Sequence, residues 1–403
     1  MGRRAEGGRT PGVSVAALGG AGETGAEWRL LELVAQLDGT DADRTAEAVR
    51  LARGSLDTDV LLAQAVRHHL LSALAAFLLD HELMERWPRA TRTHLSYTYR
   101  WTRHRTRLLV AEAQRIAEVL GAAGIPFACT KGIVYQSLLY GSRGTRYLAD
   151  IDLMVRPDSR GEVARALDRL GFAAGKYFDH RTDGLVDLAR RDIALYAMYP
   201  DHLPHFVRLS GDPVTPYYKV DVAFSLTWYG SRWQVPVDAA LAGLVEVPVT
   251  GGTLPSLAVP YSFLFAVLHL FREAWFARTM RTSDVRLGQF ADVVRLWRGY
   301  AAREVGAIGG LIRSLALEPP VAWVCHHADS VFATTMSDAL GLGDYGDERW
   351  LRSACGSGGE VLDWSGDMRS RLRSALPPAI APAADPRFAA ELAGLAPRAR
   401  PAR

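Results

Sequence analysis

The stretch Tyr147-Leu148-Ala149-Asp150-Ile151-Asp152-Leu153-Met154-Val155 constrains this chain more than any other. Two aspartates sit two residues apart in an apolar run that ends in Met-Val. Strand side chains alternate faces, so Asp150 and Asp152 are expected on the same side of one strand. Neighbouring carboxylates repel, and neither is favoured beside buried apolar residues without positive charge between them. A divalent ion meets that need, and Mg²⁺ prefers carboxylate oxygens. Such a strand needs a third ligand, a grip for phosphate and a substrate wall from elsewhere in the chain.

A third acid stands at Asp221. The segment Tyr217-Tyr218-Lys219-Val220-Asp221-Val222-Ala223-Phe224 reads as a second strand, with Val220, Val222 and Phe224 facing one way and Lys219, Asp221 and Ala223 the other. An acid in mid-strand is costly to bury unpaired. Three carboxylates from two neighbouring strands can hold two Mg²⁺ about 3.5–4 Å apart, the geometry of in-line phosphoryl transfer. Phosphates need cations and backbone donors. Thr130-Lys131-Gly132 places a lysine and a glycine at a strand-to-helix junction, where the backbone can approach a triphosphate. Arg143 and Arg146 lie in the loop before Asp150, as further phosphate contacts or as solvated loop arginines. Of 47 basic residues only Lys131, Lys176 and Lys219 are lysines, and two of these fall within the proposed site.

A chain of 403 residues exceeds one ordinary core and is expected to form two or three domains. Hydrophobic content of 49% and charged content of 23% are those of a soluble globular protein, and a net charge of +3 excludes a polycation. The Arg and Ala bias points to a GC-rich, actinobacterium-like source. Cys129, Cys325 and Cys355 form no CxxC pair and suit a reducing cytoplasm, and Cys325-His326-His327 lacks a second zinc-spaced cluster. No signal peptide is read after Met1. The longest apolar run, Val259 to Phe271, is too short to span a bilayer, so neither a membrane role nor a secreted location is expected. Gly20 to Gly25 lacks the strand and the Lys-Ser/Thr of a phosphate loop.

Along the chain, residues 1–24 are expected to be disordered. Residues 25–124 form a helical region, in which a long helix runs from about Thr91 to Leu120. Its approach and first half, Arg89 to Arg107, are basic and aromatic. They read as a solvated helix face with buried aromatics, or alternatively as a face toward phosphate or nucleic acid. Residues 125–250 are expected to form a small α/β core. A turn and a short buried strand are expected over Gly124–Thr130, further strands at Asp150–Val155, Ile193–Tyr199, Phe206–Leu209 and Tyr217–Phe224, and helices at Ile133–Tyr140 and Gly161–Leu170. Past Pro248 the pattern turns helical, with long helices at Val259–Phe276 and Ser283–Trp297 in a C-terminal region, 251–374. A Pro/Ala/Arg-rich tail, 375–403, is expected to be disordered.

The run Gly124-Ile125-Pro126, Thr130-Lys131-Gly132, Tyr140, Arg146 and Asp150-Ile151-Asp152-Leu153-Met154-Val155, followed by Val220-Asp221, resembles a large bacterial nucleotidyltransferase family of the polymerase-β superfamily. The resemblance covers about residues 28–300 and is most specific between 124 and 172. It departs at Thr130, where the family has Leu, and at Ala223-Phe224, where the family has His-Trp. It implies an α+β fold, a small mixed-sheet core flanked by helical regions. It also implies a cytoplasmic enzyme that moves a nucleoside monophosphate from an NTP to a hydroxyl acceptor, with Mg²⁺ and release of pyrophosphate. Asp150, Asp152 and Asp221 are then the catalytic metal ligands. Lys131, Gly132, Arg143, Arg146 and Lys219 hold the nucleotide. Tyr140, His205, His269 and Arg286 are candidates for the substrate side. A small molecule or natural-product intermediate is the expected acceptor. RNA, peptide or protein is the alternative, as is a non-catalytic nucleotide-binding protein.

Overall fold

A helix of 34 residues is the longest element among the described residues. The computed structural model describes residues 25–37, 40–198 and 201–383. The expectations for residues 1–24 and for the tail beyond 383 lie outside the described residues. Four helices come first: α1 (Ala26–Gln36), α2 (Ala42–Arg53), α3 (Thr58–Arg67) and α4 (Leu71–Asp80). Asp41 and Asp57 cap α2 and α3 by accepting backbone N–H groups of the first turn. The long helix α5 (Arg89–Ala122) buries Leu95, Tyr99, Leu109, Ala113, Ile116 and Leu120. It stops at Gly124, whose φ of +67° suits glycine, while the Ile125 N–H closes back onto the Leu120 carbonyl.

The chain then enters a seven-stranded mixed sheet. Its strands are β1 (Phe127–Thr130), β2 (Ile151–Val155), β3 (Ala173–Ala174), β6 (Phe206–Leu209), β7 (Tyr217–Ala223), β8 (Leu244–Val249) and β9 (Gly252–Leu257). A hairpin of β4 (Lys176–Asp179) and β5 (Gly184–Asp187) stands apart. The sheet order is β3-β6-β7-β2-β1-β9-β8. Every residue of β2 is buried, because β1 pairs with it antiparallel on one side and β7 parallel on the other. That position explains why the strand is almost continuously apolar and why an acid on it is conspicuous. Between these strands lie α6 (Gly132–Tyr140), α7 (Arg160–Arg169), α8 (Arg190–Met198) and α9 (Val237–Ala242).

Three expectations are corrected. Residues 190–198 form a helix, not the strand expected from Ile193. Past Pro248 the chain closes the β8–β9 hairpin through Gly251, at φ +93°, so the sheet extends to Leu257 before any helix begins. Within the expected disordered tail, Ile380–Pro382 pairs as a strand against Val361–Trp364. In the first case a short apolar run fitted helix as well as strand; in the second, sheet pairing overrode a local pattern.

Helices α10 (Val259–Trp275), α11 (Ala277–Ser283), α12 (Leu287–Gly299), α13 (Val305–Ser314) and α14 (Glu318–Phe332) complete the frame. Trp275 stacks on Phe271 at 5.0 Å, and Trp233, Trp323 and Trp350 pack around Phe271. One continuous apolar core joins the first helices, the sheet and these last helices. Fold and class agree with expectation: α+β, a mixed sheet flanked by helices. Among the described residues no helix is long and apolar enough to cross a membrane.

Candidate active site

The parallel pairing of β2 with β7 sets Asp152 directly opposite Asp221, and β1 brings Thr130 opposite Asp152 from the other side. Asp150 stands immediately before β2. Three acids thus gather at adjacent positions of two neighbouring strands.

Lys131 follows β1 and begins α6 with φ +51° and ψ −129°. A side chain rarely adopts that backbone, and such strain persists only where the surroundings enforce it. The turn delivers its Nζ to 2.9 Å from Asp152 Oδ1, with the Phe265 ring 5.2 Å away. Lys219, on β7, sits with Nζ 2.7 Å from Asp150 Oδ2. Burial pulls the Lys131 ammonium down, but Asp152 and Asp221 outweigh it and hold it above its ordinary value. Lys219 is likewise raised, burial being outweighed by Asp150. Both lysines are therefore charged at neutral pH.

The acids differ from one another. Burial, with repulsion from Asp150 and Asp221, pushes the Asp152 carboxyl up to about 6 despite Lys131. Asp221 is lowered, because His202, Lys131, His205 and Lys219 outweigh its burial. Its Oδ1 is buried without a hydrogen-bond partner among the described residues, 3.8 Å from His205 Nε2. His205 Nδ1 lies 3.1 Å from the Tyr196 hydroxyl. Burial lowers the imidazole, which favours the neutral form.

Among the described residues no three His, Cys, Asp or Glu side chains converge to hold a metal ion. The physical reason is visible in the pairs above: Asp150 and Asp152 are each turned to a different lysine. The residues nevertheless fit a divalent cation in kind and placement. The donors are hard carboxylate oxygens, one is an orphaned buried acceptor, and their mutual repulsion calls for more positive charge than two lysines supply.

The structure engages other expected residues elsewhere. Arg146 grips Asp292 with Nε and Nη2, at 3.0 and 2.7 Å, and the Tyr140 hydroxyl donates to the same carboxylate at 2.8 Å. Arg295 lies over the Tyr140 ring at 4.2 Å. Arg146 is thus paired with protein groups in this structure. Gly132 makes room for it: a Cβ there would meet Arg146 Nη1 at 2.5 Å. Arg143 likewise pairs with Asp80 and Tyr99. Arg286 precedes α12, where its backbone N–H donates to Gln289 Oε1 at 2.8 Å. His269 is held neutral by burial, with Lys131 and Arg272 reinforcing the effect. Trp228 packs against Trp233 and Phe276 in the core. His327 bonds the Leu351 carbonyl at 2.9 Å, a structural contact rather than a metal site.

Sequence reasoning missed Tyr196, because its segment read as a strand; the helical spacing of Ile193 and Tyr196 carried the signal. It also missed Asp201, which is buried beside His202 at 3.4 Å and Arg272 at 3.7 Å.

The family model described as an uncharacterised nucleotidyltransferase matches residues 54–333. The chain belongs to this nucleotidyltransferase family. The match covers every site residue named above, starts later than the expected residue 28 and continues through α14. This nucleotidyltransferase is therefore a transferase enzyme whose family implies a nucleoside triphosphate substrate and a divalent metal. No curated protein matches the chain.

Proposed function

We propose that this nucleotidyltransferase moves a nucleoside monophosphate from an NTP to a hydroxyl acceptor in a Mg²⁺-dependent reaction. The observation behind the reading is the register of Asp152 opposite Asp221, with an unpartnered Asp221 oxygen and Asp150 alongside. The acceptor oxygen forms a bond to the α-phosphorus, the bond from that phosphorus to the β-phosphate oxygen breaks, and pyrophosphate leaves. Asp150, Asp152 and Asp221 would hold two Mg²⁺, which when bound neutralise charge on the triphosphate and polarise the attacked phosphoryl group.

The remaining work falls to the chain. Lys131 and Lys219 neutralise Asp152 and Asp150 in the structure as it stands. A lysine carries a compact charge on a flexible stem. Once the carboxylates take other partners, both ammoniums can turn to the phosphates. The backbone at Gly132, at the N-terminus of α6, offers N–H donors to the same anion. Asp221, opposite Asp152 and beside His205, would receive the proton of the acceptor hydroxyl.

The test is transfer of α-labelled NTPs into mixed pools of RNA and small metabolites, with wild type, Asp150→Asn and Asp152→Asn. Either substitution is expected to reduce labelling at least ~1,000-fold, because the chemistry is positioning and electrostatics. Wild-type labelling by both variants would sink the reading.

A further inference from the structure

The first half of α5 plays no part in the nucleotide site described above. From Arg89 to Arg107 it carries six arginines and two histidines without one acid, in a chain whose net charge is only +3. At about 100° per residue, Arg89, Arg92, Ser96, Tyr97, Arg100, Arg103 and Arg107 fall within about 140° of arc. They make one stripe, about 27 Å long. Arg89, Arg100, Arg103 and Arg107 are exposed, and Arg92 is half-buried beside Glu85. Tyr97 stands 66% exposed in the middle of the stripe. A depression of about 350 Å³ opens along it, lined by Met84, Arg89, Arg92, Tyr97 and Arg100 among others.

The stripe is tied to the aspartates. Arg105, on the inner side of the same helix, donates to the Leu148 and Ala149 carbonyls at 2.7 and 2.8 Å, directly before Asp150. Trp101 stacks on Tyr147 at 5.9 Å, so half-exposed aromatic rings continue from the stripe toward Asp150. Spaced cations with interleaved aromatic faces suit a nucleic-acid strand, whose phosphates pair with arginine and whose bases stack. An anionic membrane would instead want an apolar flank, and among the stripe residues only Tyr97 offers one.

We propose that the outward face of α5 between Arg89 and Arg107 docks RNA. The RNA held there is the acceptor of the site, a second half that rests on the nucleotidyl-transfer reading. A ribose hydroxyl gives its proton to Asp221 and bonds to the α-phosphorus, the bond from that phosphorus to the β-phosphate oxygen breaks, and pyrophosphate departs.

The experiment uses the full chain, fluorescent bulk tRNA and a labelled 20-mer oligoribonucleotide, with binding read by anisotropy from 50 to 200 mM salt. The expected wild-type slope of log affinity against log salt is about −3 to −4 for the five stripe arginines. The triple variant Arg89→Ala, Arg100→Ala, Arg107→Ala is expected to bind at least ~30-fold more weakly at 50 mM, with the slope smaller by about two. A charge-matched variant, Arg281→Ala, Arg303→Ala, Arg313→Ala, is expected to bind like wild type. Absence of RNA binding at 50 mM salt overturns the proposal. So does wild-type affinity in the stripe variant, or capture of phosphatidylserine vesicles in place of RNA. RNA that binds yet stays unlabelled with all four NTPs overturns the acceptor assignment. A wild type that binds no Mg²⁺–NTP by calorimetry overturns the nucleotidyl reading instead.

Discussion

Two buried ion pairs, Arg146–Asp292 and Lys131–Asp152, differ in every respect that matters. In the Arg146–Asp292 pair the guanidinium meets the carboxylate with two nitrogens, and Tyr140 donates to the same group. In the Lys131–Asp152 pair a single ammonium contacts one oxygen, while Asp150 and Asp221 repel the same carboxylate. The first is closed: one acid, a planar fork and a phenol. The second is open: three acids, two lysines and an orphaned Asp221 oxygen. A planar, always-charged guanidinium suits fixed architecture, whereas a lysine ammonium is more readily redirected. Charge buried for structure is saturated with donors; charge buried for a ligand is left short of them.

The contrast has consequences of decreasing size. Asp152→Asn is expected to lower nucleotidyl transfer at least ~1,000-fold without lowering the melting temperature. The sign follows from its raised carboxyl: the folded chain holds that proton longer than the unfolded chain. Asp152 therefore costs stability as pH rises from about 4 through about 6. Removing the charge should leave the metal-free protein as stable or more so at pH 7. Asp292→Ala should do the reverse, destabilising by about 3–5 kcal/mol in denaturant titration, because Arg146 is left buried and unpaired. A variant that unfolds like wild type would erase the distinction between the two pairs.

A smaller effect comes from histidines in the helical frame. His68 bridges the Leu287 N–H and the Leu372 carbonyl, and burial lowers it to about 3. Burial lowers His327 to about 3 as well. Here the unfolded chain binds the proton first. Each histidine should therefore cost up to about 1.4 kcal/mol per pH unit as pH falls below 6.5. Thermal melts between pH 7 and pH 5 should show this loss, and His68→Gln should flatten it. Gly132→Ala is the mildest change. Its Cβ would press on Arg146, which Asp292 holds in place, so about 1–2 kcal/mol of stability should go, with a modest fall in turnover. Equal melting curves for Gly132→Ala and wild type would mean that Arg146 yields freely.

The parts legible in sequence were those whose signal is local. An Asp-x-Asp in an apolar run, an acid in an alternating strand, and a lysine-glycine step after a strand all survive reading along the chain. Their meeting was inferable because parallel neighbours in one sheet bring equivalent positions together, as Asp152 and Asp221 are. The partners of Arg146 and Arg143 were not legible. Asp292 lies 146 residues away and Asp80 lies 63 away, and nothing local distinguishes a loop arginine that pairs with protein from one that pairs with phosphate. The segment 190–198 misled because short apolar runs fit strand and helix alike. The stripe on α5 was visible as composition, but only the helix phase showed that its arginines share one outward face.

The most direct measurement is a crystal structure with Mg²⁺ and a non-hydrolysable NTP analogue. The expected result has Mg²⁺ on Asp150, Asp152 and Asp221, the Lys131 ammonium moved from Asp152 to a phosphate, and Arg146 still on Asp292. A triphosphate bound away from β2 and β7, or aspartates that keep their lysines while the analogue is bound, would contradict it.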